Sequence, residues 1–210
     1  IIANINAFAL GAQMVNPRAK VYLEWSTLKD HDYTQTFAEH NVAVVSGQDM
    51  LIPGTSSRKF GLYRQDNGNV MNLAVPVWHW GKFYEQLIQA IMNKTWNYDE
   101  ESSEEKAINY WWGMSAGVID VEFSRNLPIG TKRLIEILKE TICRGEFNPF
   151  SGVLYSQEGI VQQDPERSMT PEEIVTMDWL AENVIGHIPT QEELREDVIP
   201  LFSQQGIDKK

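Results

Sequence analysis

The chain contains only one cysteine, Cys143, and only four histidines among its 210 residues. A single cysteine excludes both a disulfide within the chain and a cluster of thiolate metal ligands. The histidines are scattered, and none stands four residues from another, as a metal-binding pair on one helix face requires. A Walker-type Gly-x-x-x-x-Gly-Lys sequence is also missing. We therefore expect no metal site, no cofactor and no enzymatic activity.

An excess of positive charge is missing as well, because 29 acidic residues outnumber 18 basic ones and give a formal charge of -11. Nucleic acids and anionic membrane surfaces attract basic patches, so neither is an expected partner. No apolar run approaches the roughly 18 residues that a membrane-spanning helix needs. The apolar content of 42% is that of a globular protein rather than a disordered chain.

Short apolar runs that alternate with helical patterns predict an open α/β sheet. The predicted strands are Val21–Trp25, Val42–Val45, Phe60–Tyr63 and Leu73–Trp78. Helical periodicity precedes the first strand, from Ile1 to Val15, and follows the last, from Lys82 to Met92. This order is typical of a three-layer sheet with mostly parallel strands. Because the opening helix has neither an N-cap residue nor a preceding strand, we expect the chain to be part of a longer α/β protein.

The C-terminal part differs in character, because two capping boxes begin its predicted helices. Residues 170–173 (Thr-Pro-Glu-Glu) and 190–193 (Thr-Gln-Glu-Glu) each place a glutamate three residues after a threonine. They predict two short acidic helices, near 171–183 and 191–203. We therefore divide the chain into an α/β lobe, residues 1–150, and a C-terminal extension with two short capped helices, residues 151–210.

Another helix is predicted before this extension, from Lys132 to Arg144. Leu134, Leu138 and Ile142 share one of its faces and are expected to point inward. Gly145 stands where a C′ glycine ends a helix.

Candidate ligand-binding residues are found where the predicted strands end. In an open α/β sheet, ligands lie beyond the carboxyl ends of the strands. Aromatic rings at these ends can stack a planar ligand, and Arg64 can hold a carboxylate or phosphate with two hydrogen bonds. The predicted ligand-binding residues are Trp25, Gln48, Asp49, Tyr63, Arg64, Trp78 and Trp80.

Structural roles are alternatives for several of these residues. The tryptophans are also compatible with a place in the core. Arg64 is equally compatible with a surface ion pair to Asp66 or Glu24. Residues 30–32 (Asp-His-Asp) indicate the solvated start of a helix rather than a metal site, because adjacent residues on a helix point in different directions.

Seven segments occur along the chain in an order that is typical of one protein family. They are Ile5–Ala12, Val21–Thr27, Val42–Asp49, Phe60–Leu62, Tyr84-Glu85, Tyr110–Gly113 and Ile142–Phe147. In this order they resemble the second half of the Bmp (basic membrane protein) family of solute-binding proteins, which deliver solutes to ABC importers. The resemblance covers residues 1–150, and the shared order of the segments carries it more than any single motif.

The resemblance implies a periplasmic-binding-protein fold of the first type, in which two α/β lobes close over a small-molecule solute. It implies that this chain is mainly the C-terminal lobe, without the N-terminal lobe. It also implies a solute receptor that has no catalytic role. In the full-length protein the receptor would be an extracytoplasmic lipoprotein with an ABC permease as its partner.

Known members of the family bind purine nucleosides or bases, but this chain differs at two positions. The family usually has an acidic residue after a Gly-Val at the end of the third strand, where Tyr63 follows Gly61-Leu62 here. It tends to have a lysine in the next strand, where Val77 stands here. The phenol of Tyr63 and the apolar side chain of Val77 do not make the polar contacts that the family's acidic residue and lysine make. Another small planar solute is therefore an alternative ligand.

A regulatory or protein-interaction module that reuses the lobe is the alternative function, with the C-terminal helices as its contact surface. An enzyme would require a cluster of Asp, Glu and His in a deep pocket. An unpartnered lobe exposes apolar surface, so self-association as a homo-oligomer through that surface is also an expectation.

Overall fold

Residues 1–47, 59–66, 68–94 and 113–199 are described by a computed structural model of the chain. The helices and strands, in chain order, are α1 Ile2–Val15, β1 Val21–Tyr22, α2 Tyr33–Glu39, β2 Val44–Ser46, β3 Leu62–Asp66, β4 Asn69–Trp78, α3 Trp80–Met92, β5 Ile119–Phe123, α4 Ile129–Cys143, β6 Leu154–Ser156, β7 Gly159–Gln162, α5 Pro171–Val175 and β8 Val184–Ile185. A short 3-10 turn follows at Gln191–Glu193. None of the helices in these ranges is long and apolar enough to cross a membrane.

These elements form two compact units. Unit 1 comprises residues 1–42 and 148–210, and unit 2 comprises residues 43–147. This grouping differs from the predicted division at residue 150, because the first 42 residues belong with the C-terminal segment. The assignment of residues 1–150 to one lobe of the family stays a prediction.

In unit 1, α1 packs against the segment that follows α5. The first core cluster consists of Ala9, Leu180, Ala181 and Val184, and a second consists of Phe150, Leu154 and Met177. The helical periodicity of residues 1–15 does not mark the buried face, because the apolar residues Ile1, Phe8 and Val15 are exposed. The buried face of α1 is centred instead on Asn6 and Ala9.

Asn6 is fully buried, and its amide joins α1 to this distant segment. Its Nδ2 donates to the carbonyl of Trp179 at 2.7 Å, and its Oδ1 accepts from the N–H of Ala181 at 2.8 Å. Asn183 adds a second connection, because its Nδ2 donates to the carbonyl of Ala9 at 2.9 Å. Buried polar groups are costly without partners, so these bonds fix where the segment crosses the helix.

The C-terminal segment is mostly irregular, and the helices predicted in it are therefore too long. Both capping boxes form, at residues 170–173 and 190–193, but α5 has only five residues and the second box opens only the 3-10 turn. The backbone after α5 bonds to another segment instead of continuing the helix. The carbonyl of Leu180 accepts from the N–H of Gln157 at 3.0 Å. Residues 200–203 of the second predicted helix lie outside the described residues.

Unit 2 is built on a four-stranded antiparallel sheet with the order β2-β3-β4-β5. The predicted α/β class with open sheets is confirmed, but the expectation of mostly parallel strands is wrong for this sheet. In the described part of the chain, the parallel pair is β1–β8 of unit 1. Asp66 pairs with Asn69, so two residues join β3 to β4, whereas a parallel pair needs a crossover of about a dozen or more.

The strand bounds also differ from the predicted ones. β2 is an edge strand with an exposed Val44 rather than a buried parallel strand, and β1 is only two residues long. Pro76 lies beyond Ala74, where pairing with β3 ends and β4 pairs with β5 alone. Proline is tolerated at such an edge position because it has no N–H to donate.

The helices of unit 2 are close to the predicted ones in length. α3 begins two residues earlier than expected, and α4 begins at Ile129. Gly145 has φ of +72°, which confirms the predicted C′ glycine. Leu134 was expected to point inward but is exposed, and no residue of α4 is buried.

We expect Asn6→Ala to lower the free energy of unfolding by about 3 kcal/mol, because it leaves the carbonyl of Trp179 and the N–H of Ala181 buried without partners. Urea denaturation monitored by tryptophan fluorescence measures the change. Asn4→Ala is the matched control, since Asn4 is exposed on the same helix and should change the value by less than about 0.5 kcal/mol. Equal losses in the two variants would contradict the bridging role of Asn6.

The backbone at Gly61, just before β3, approaches β4 closely. This residue has φ of +58°, and a Cβ placed on it would lie 2.5 Å from the carbonyl oxygen of Ala74. Gly68 has φ of +84° but no atom within 4 Å of a Cβ. Gly68→Ala should therefore cost only about 1 kcal/mol of backbone strain, and Gly61→Ala clearly more. Melting temperatures of the two variants test this, and an equal decrease would show that the backbone contact is unimportant.

Candidate functional site

Five of the seven predicted site residues lie in the described part of the chain. Trp25 belongs to unit 1, and the residues in unit 2 are Tyr63, Arg64, Trp78 and Trp80. Gln48 and Asp49 lie outside the described residues, as does the Trp111-Trp112 pair. The predicted site residues are therefore divided between the two units.

In unit 2, the predicted tryptophans flank the point where β4 ends and α3 begins. Trp78 is the last residue of β4 and pairs with Ile119 of β5. Trp80 is the first residue of α3 and is 56% exposed, with its ring edge-on to that of Phe83 at 5.9 Å between centroids. Between them, the N–H of His79 donates to the carbonyl of Val118 at 2.8 Å. One half-buried indole and one exposed indole therefore lie within one turn of the chain, where an aromatic ligand can stack.

A carboxylate that the sequence interpretation missed lies at the same edge. Asp120 is opposite Val77, and its Oδ1 lies 2.5 Å from Nζ of Lys139 on α4. The hydrogen bond from Lys139 holds the pKa of Asp120 below its ordinary value and outweighs the opposing effect of burial. The same Nζ donates to the carbonyl of Val121 at 3.2 Å. Asp120 therefore stays ionised and is held in one orientation.

Tyr63 and Arg64 are not at the end of a strand as predicted, because β3 continues to Asp66. Tyr63 is only 7% exposed, and a Cβ added to Gly47 would lie 3.3 Å from its ring. Its ring is therefore packed within unit 2. Arg64 is exposed, and its Nη2 lies 3.8 Å from Oδ2 of Asp66, which agrees with the ion-pair alternative. A pair this long and this exposed contributes little to stability.

In unit 1, the carboxyl ends of the parallel pair β1–β8 bring two loops together. Nε1 of Trp25 donates to the carbonyl of His187 at 2.8 Å. Gly186 permits this approach, since a Cβ there would lie 2.8 Å from the carbonyl oxygen of Leu23. The indole N–H of Trp25 thus already has a structural partner, and this residue holds the two loops together.

Two histidines at this edge pair with glutamates. His31 contacts Glu24, and Nε2 of His187 lies 3.0 Å from Oε1 of Glu193. The N–H of Thr190 and the His187 ring both bond to Glu193 and lower the pKa of its carboxyl below the ordinary value. The paired residues are seven and six positions apart and do not lie together on one helix or strand, so spacing alone gave no signal for these pairs.

Residues 30–32 also have structural partners rather than a metal-binding arrangement. Asp32 is the N-cap of α2, and its side chain accepts from the N–H of Thr34 at 2.9 Å. This agrees with the interpretation of 30–32 as a helix start. Within the ranges that the structure covers, no three His, Cys, Asp or Glu side chains are grouped to hold a metal ion.

Residues 113–117 (Gly-Met-Ser-Ala-Gly) have the spacing of the nucleophile elbow of serine hydrolases. An elbow requires a strand before the serine and a helix after it. Here the five residues form a turn that leads into β5. Ser115 is exposed, and in the described part of the chain it has no histidine within hydrogen-bonding distance to act as a base. This spacing therefore does not form a catalytic site.

The Asp120–Lys139 pair yields a pH-dependent expectation. Because the folded-state pKa of Asp120 is lowered, its contribution to stability is present above the ordinary value of 3.8 and is lost as pH falls through the lowered pKa. In Lys139→Met we expect this pKa to move up toward the ordinary value. NMR titration of the Asp120 carboxyl carbon measures the change.

Lys132→Met is the control, since Lys132 lies on the same helix but donates to the carbonyl of Arg125. It removes an equal charge and should leave the pKa of Asp120 nearly unchanged. An equal rise in both variants would mean that the net charge of the helix, rather than the direct bond, lowers this pKa.

Comparison with known proteins finds relatives among binding proteins, although no protein-family model matches the chain. The chain is 27% identical over 172 residues to a purine-binding protein of Brucella abortus, with 76% of this chain and 47% of that protein covered. It is 24% identical over 174 residues to a protein of Haloferax volcanii that is provisionally named an ABC transporter glucose-binding protein, with 75% and 42% covered. The chain thus spans less than half the length of these two relatives.

Both relatives are named for binding a small molecule rather than for catalysing a reaction. One of the two names includes an ABC transporter, as the resemblance to the Bmp family predicts. Over three quarters of its length the chain is therefore similar to solute-binding proteins, consistent with one lobe of a Bmp-like ABC solute-binding protein.

Proposed function

We propose that the chain is one lobe of a solute receptor for an ABC importer, and that it has no catalytic role. The observation that carries this proposal is similarity over three quarters of the chain to two proteins named for binding different small molecules. The α/β architecture with open sheets supports the lobe assignment.

The proposed solute is a small planar molecule, with a purine base or nucleoside as the first choice. Trp78 and Trp80 offer indole faces for stacking at the end of β4. Asp120 pairs with Val77 and Trp78 pairs with Ile119, so the Asp120 carboxylate and the Trp78 indole project from opposite faces of the sheet, and the stacking face does not include this carboxylate. This carboxylate lies opposite Val77, where the Bmp family tends to have a lysine.

The other predicted contacts of this proposal are Gln48, Asp49, Arg64, Trp25 and Tyr63. Gln48 and Asp49 stay predictions. Arg64 is exposed and can leave its long pair with Asp66 for an anionic group of a solute. Trp25 and Tyr63 stay predictions as contacts, beside the structural roles described above.

Binding would proceed by hinge closure, in which a solute favours the closed state because it contacts both lobes only there. Because the chain spans less than half of its relatives, we assign the opposite wall of the site to another part of the full-length receptor. The same proposal places the receptor outside the cytoplasm, anchored as a lipoprotein, and makes an ABC permease its partner.

With one wall of the site, the chain alone should bind adenine only weakly, with Kd of roughly 1 mM or higher. Saturation-transfer NMR detects binding in this range, and we expect adenine and adenosine to receive more saturation than glucose. Trp80→Ala should reduce this transfer severalfold, because it removes the exposed stacking face.

Tyr155→Ala is the matched control, since Tyr155 is an exposed aromatic residue on β6 of unit 1, outside the predicted site. It should leave the saturation transfer unchanged. No transfer to any of the three solutes, or an equal loss in both variants, would contradict the proposed site.

A further inference from the structure

A cavity of about 400 Å³ opens on the surface of unit 1. It lies between the β6–β7 turn, the segment after α5 and the residues that follow β8. The lining residues that matter for its chemistry are Glu158, Asp178, Trp179, Leu180, His187 and Ile188. Its volume falls within the range of roughly 300 to 1,000 Å³ that small-molecule sites occupy.

The frame of this cavity is fixed by hydrogen bonds among its three segments. Nε2 of Gln157 donates to the carbonyls of Val184 and Gly186, each at 2.9 Å, and ties the β6–β7 turn to the end of β8. The Glu158 N–H donates to Oγ of Ser156 at 3.1 Å, which sets the position of Glu158 in the turn. The walls are therefore held in place before any ligand arrives, which lowers the entropic cost of binding.

The segment that supplies the lining of this cavity is acidic. Residues 148–199 contain 11 Asp and Glu but only two arginines, so they account for nine of the eleven excess negative charges of the chain. Both arginines already have partners, because Arg167 pairs with Glu173 and Arg195 pairs with Asp197. Among the described residues, no Lys, Arg or His lies within ion-pair distance of the Glu158 carboxylate.

The walls combine this charge with an aromatic and apolar surface. Trp179 is half-buried against the core of unit 1, and the adjacent Leu180 is buried. His187 is held by its pair with Glu193 at 3.0 Å. An anion would be repelled here. A metal ion is not favoured either, because no three suitable ligands are grouped in the described ranges.

We propose that this cavity is a second binding site, and that it takes an organic cation with a guanidinium or ammonium head group. Glu158 supplies the balancing charge, and the Trp179 indole offers a face for a cation–π contact. The cation is either a free small molecule or an arginine side chain presented by a peptide, since both have the same head group. The site does not depend on the solute proposed for the end of β4.

The test uses butylguanidine as the cation and butylurea as a neutral molecule of the same shape. In two-dimensional NMR spectra of the whole chain, butylguanidine should produce a saturable shift of the Trp179 indole N–H, and butylurea should not. Glu158→Gln should weaken binding roughly threefold to tenfold, because it removes one charge that directly faces the cation. Raising NaCl from about 0.05 M to about 0.5 M should weaken binding further.

Glu166→Gln is the control, since it removes the same charge from the same segment outside the cavity lining. It should change the affinity by less than about twofold. Equal weakening by the two variants, or equal binding of butylurea, would overturn the proposal, because only general charge or shape would then be recognised. An unchanged Kd in Glu158→Gln, with its melting temperature preserved, would overturn it as well.

The two sources of the cation are distinguished by the same measurement with N-acetyl-arginine-methylamide. Tighter binding of this blocked residue than of butylguanidine supports an arginine side chain as the natural occupant. Weaker binding supports a free small cation. Binding of neither molecule to the cavity contradicts the proposal.

Discussion

The buried amide of Asn6 is the interaction on which unit 1 depends. It pairs with backbone groups of Trp179 and Ala181, more than 170 residues away in sequence. A long-range bond of this kind closes a very large loop, and the apolar contacts around it must repay the loss of chain entropy. Ala9, Leu180 and Val184 supply those contacts beside the amide. The polar pair sets the register, and the apolar cluster supplies most of the stabilisation.

Once this register is set, the parallel pair β1–β8 follows from it. Val21 lies opposite Val184, one residue beyond Asn183, whose side chain bonds to α1. The carboxyl ends of these strands then bring the loops around Trp25 and His187 together. The cavity lined by Glu158 and Trp179 uses the same segment, whose carbonyl at 179 is bonded to Asn6. Core packing and the surface features of unit 1 thus have a common origin.

Unit 2 is organised instead by pairing between strands that are consecutive in the chain, of which β3 and β4 form a tight hairpin. Its strands contact neighbours along the chain, while α3 and α4 have no buried residues. Trp80, Ile88 and Ile91 are all more than half exposed on α3. Exposed apolar surface of this extent is typical of an interaction site, and the expected self-association stays a prediction. The Asp120–Lys139 pair places a fixed charge at the end of this sheet, on the face opposite to Trp78.

The sequence by itself determined the α/β class, the approximate extents of α1, α3 and α4, both capping boxes and the C′ role of Gly145, because these depend on periodicity and on neighbours within four residues. The Asn67-Gly68 dipeptide is typical of a hairpin turn and argues against parallel strands, but the sequence interpretation did not use it. Trp78 and Trp80 flank a strand end as predicted, and their role as ligand contacts stays a prediction. Only the tertiary structure decided the rest. Three features bring together residues that are far apart in sequence, where local patterns carry no information about distance. They are the pairing of Asn6 with residues 179–181, the course of the segment after α5, and the approach of Lys139 to Asp120.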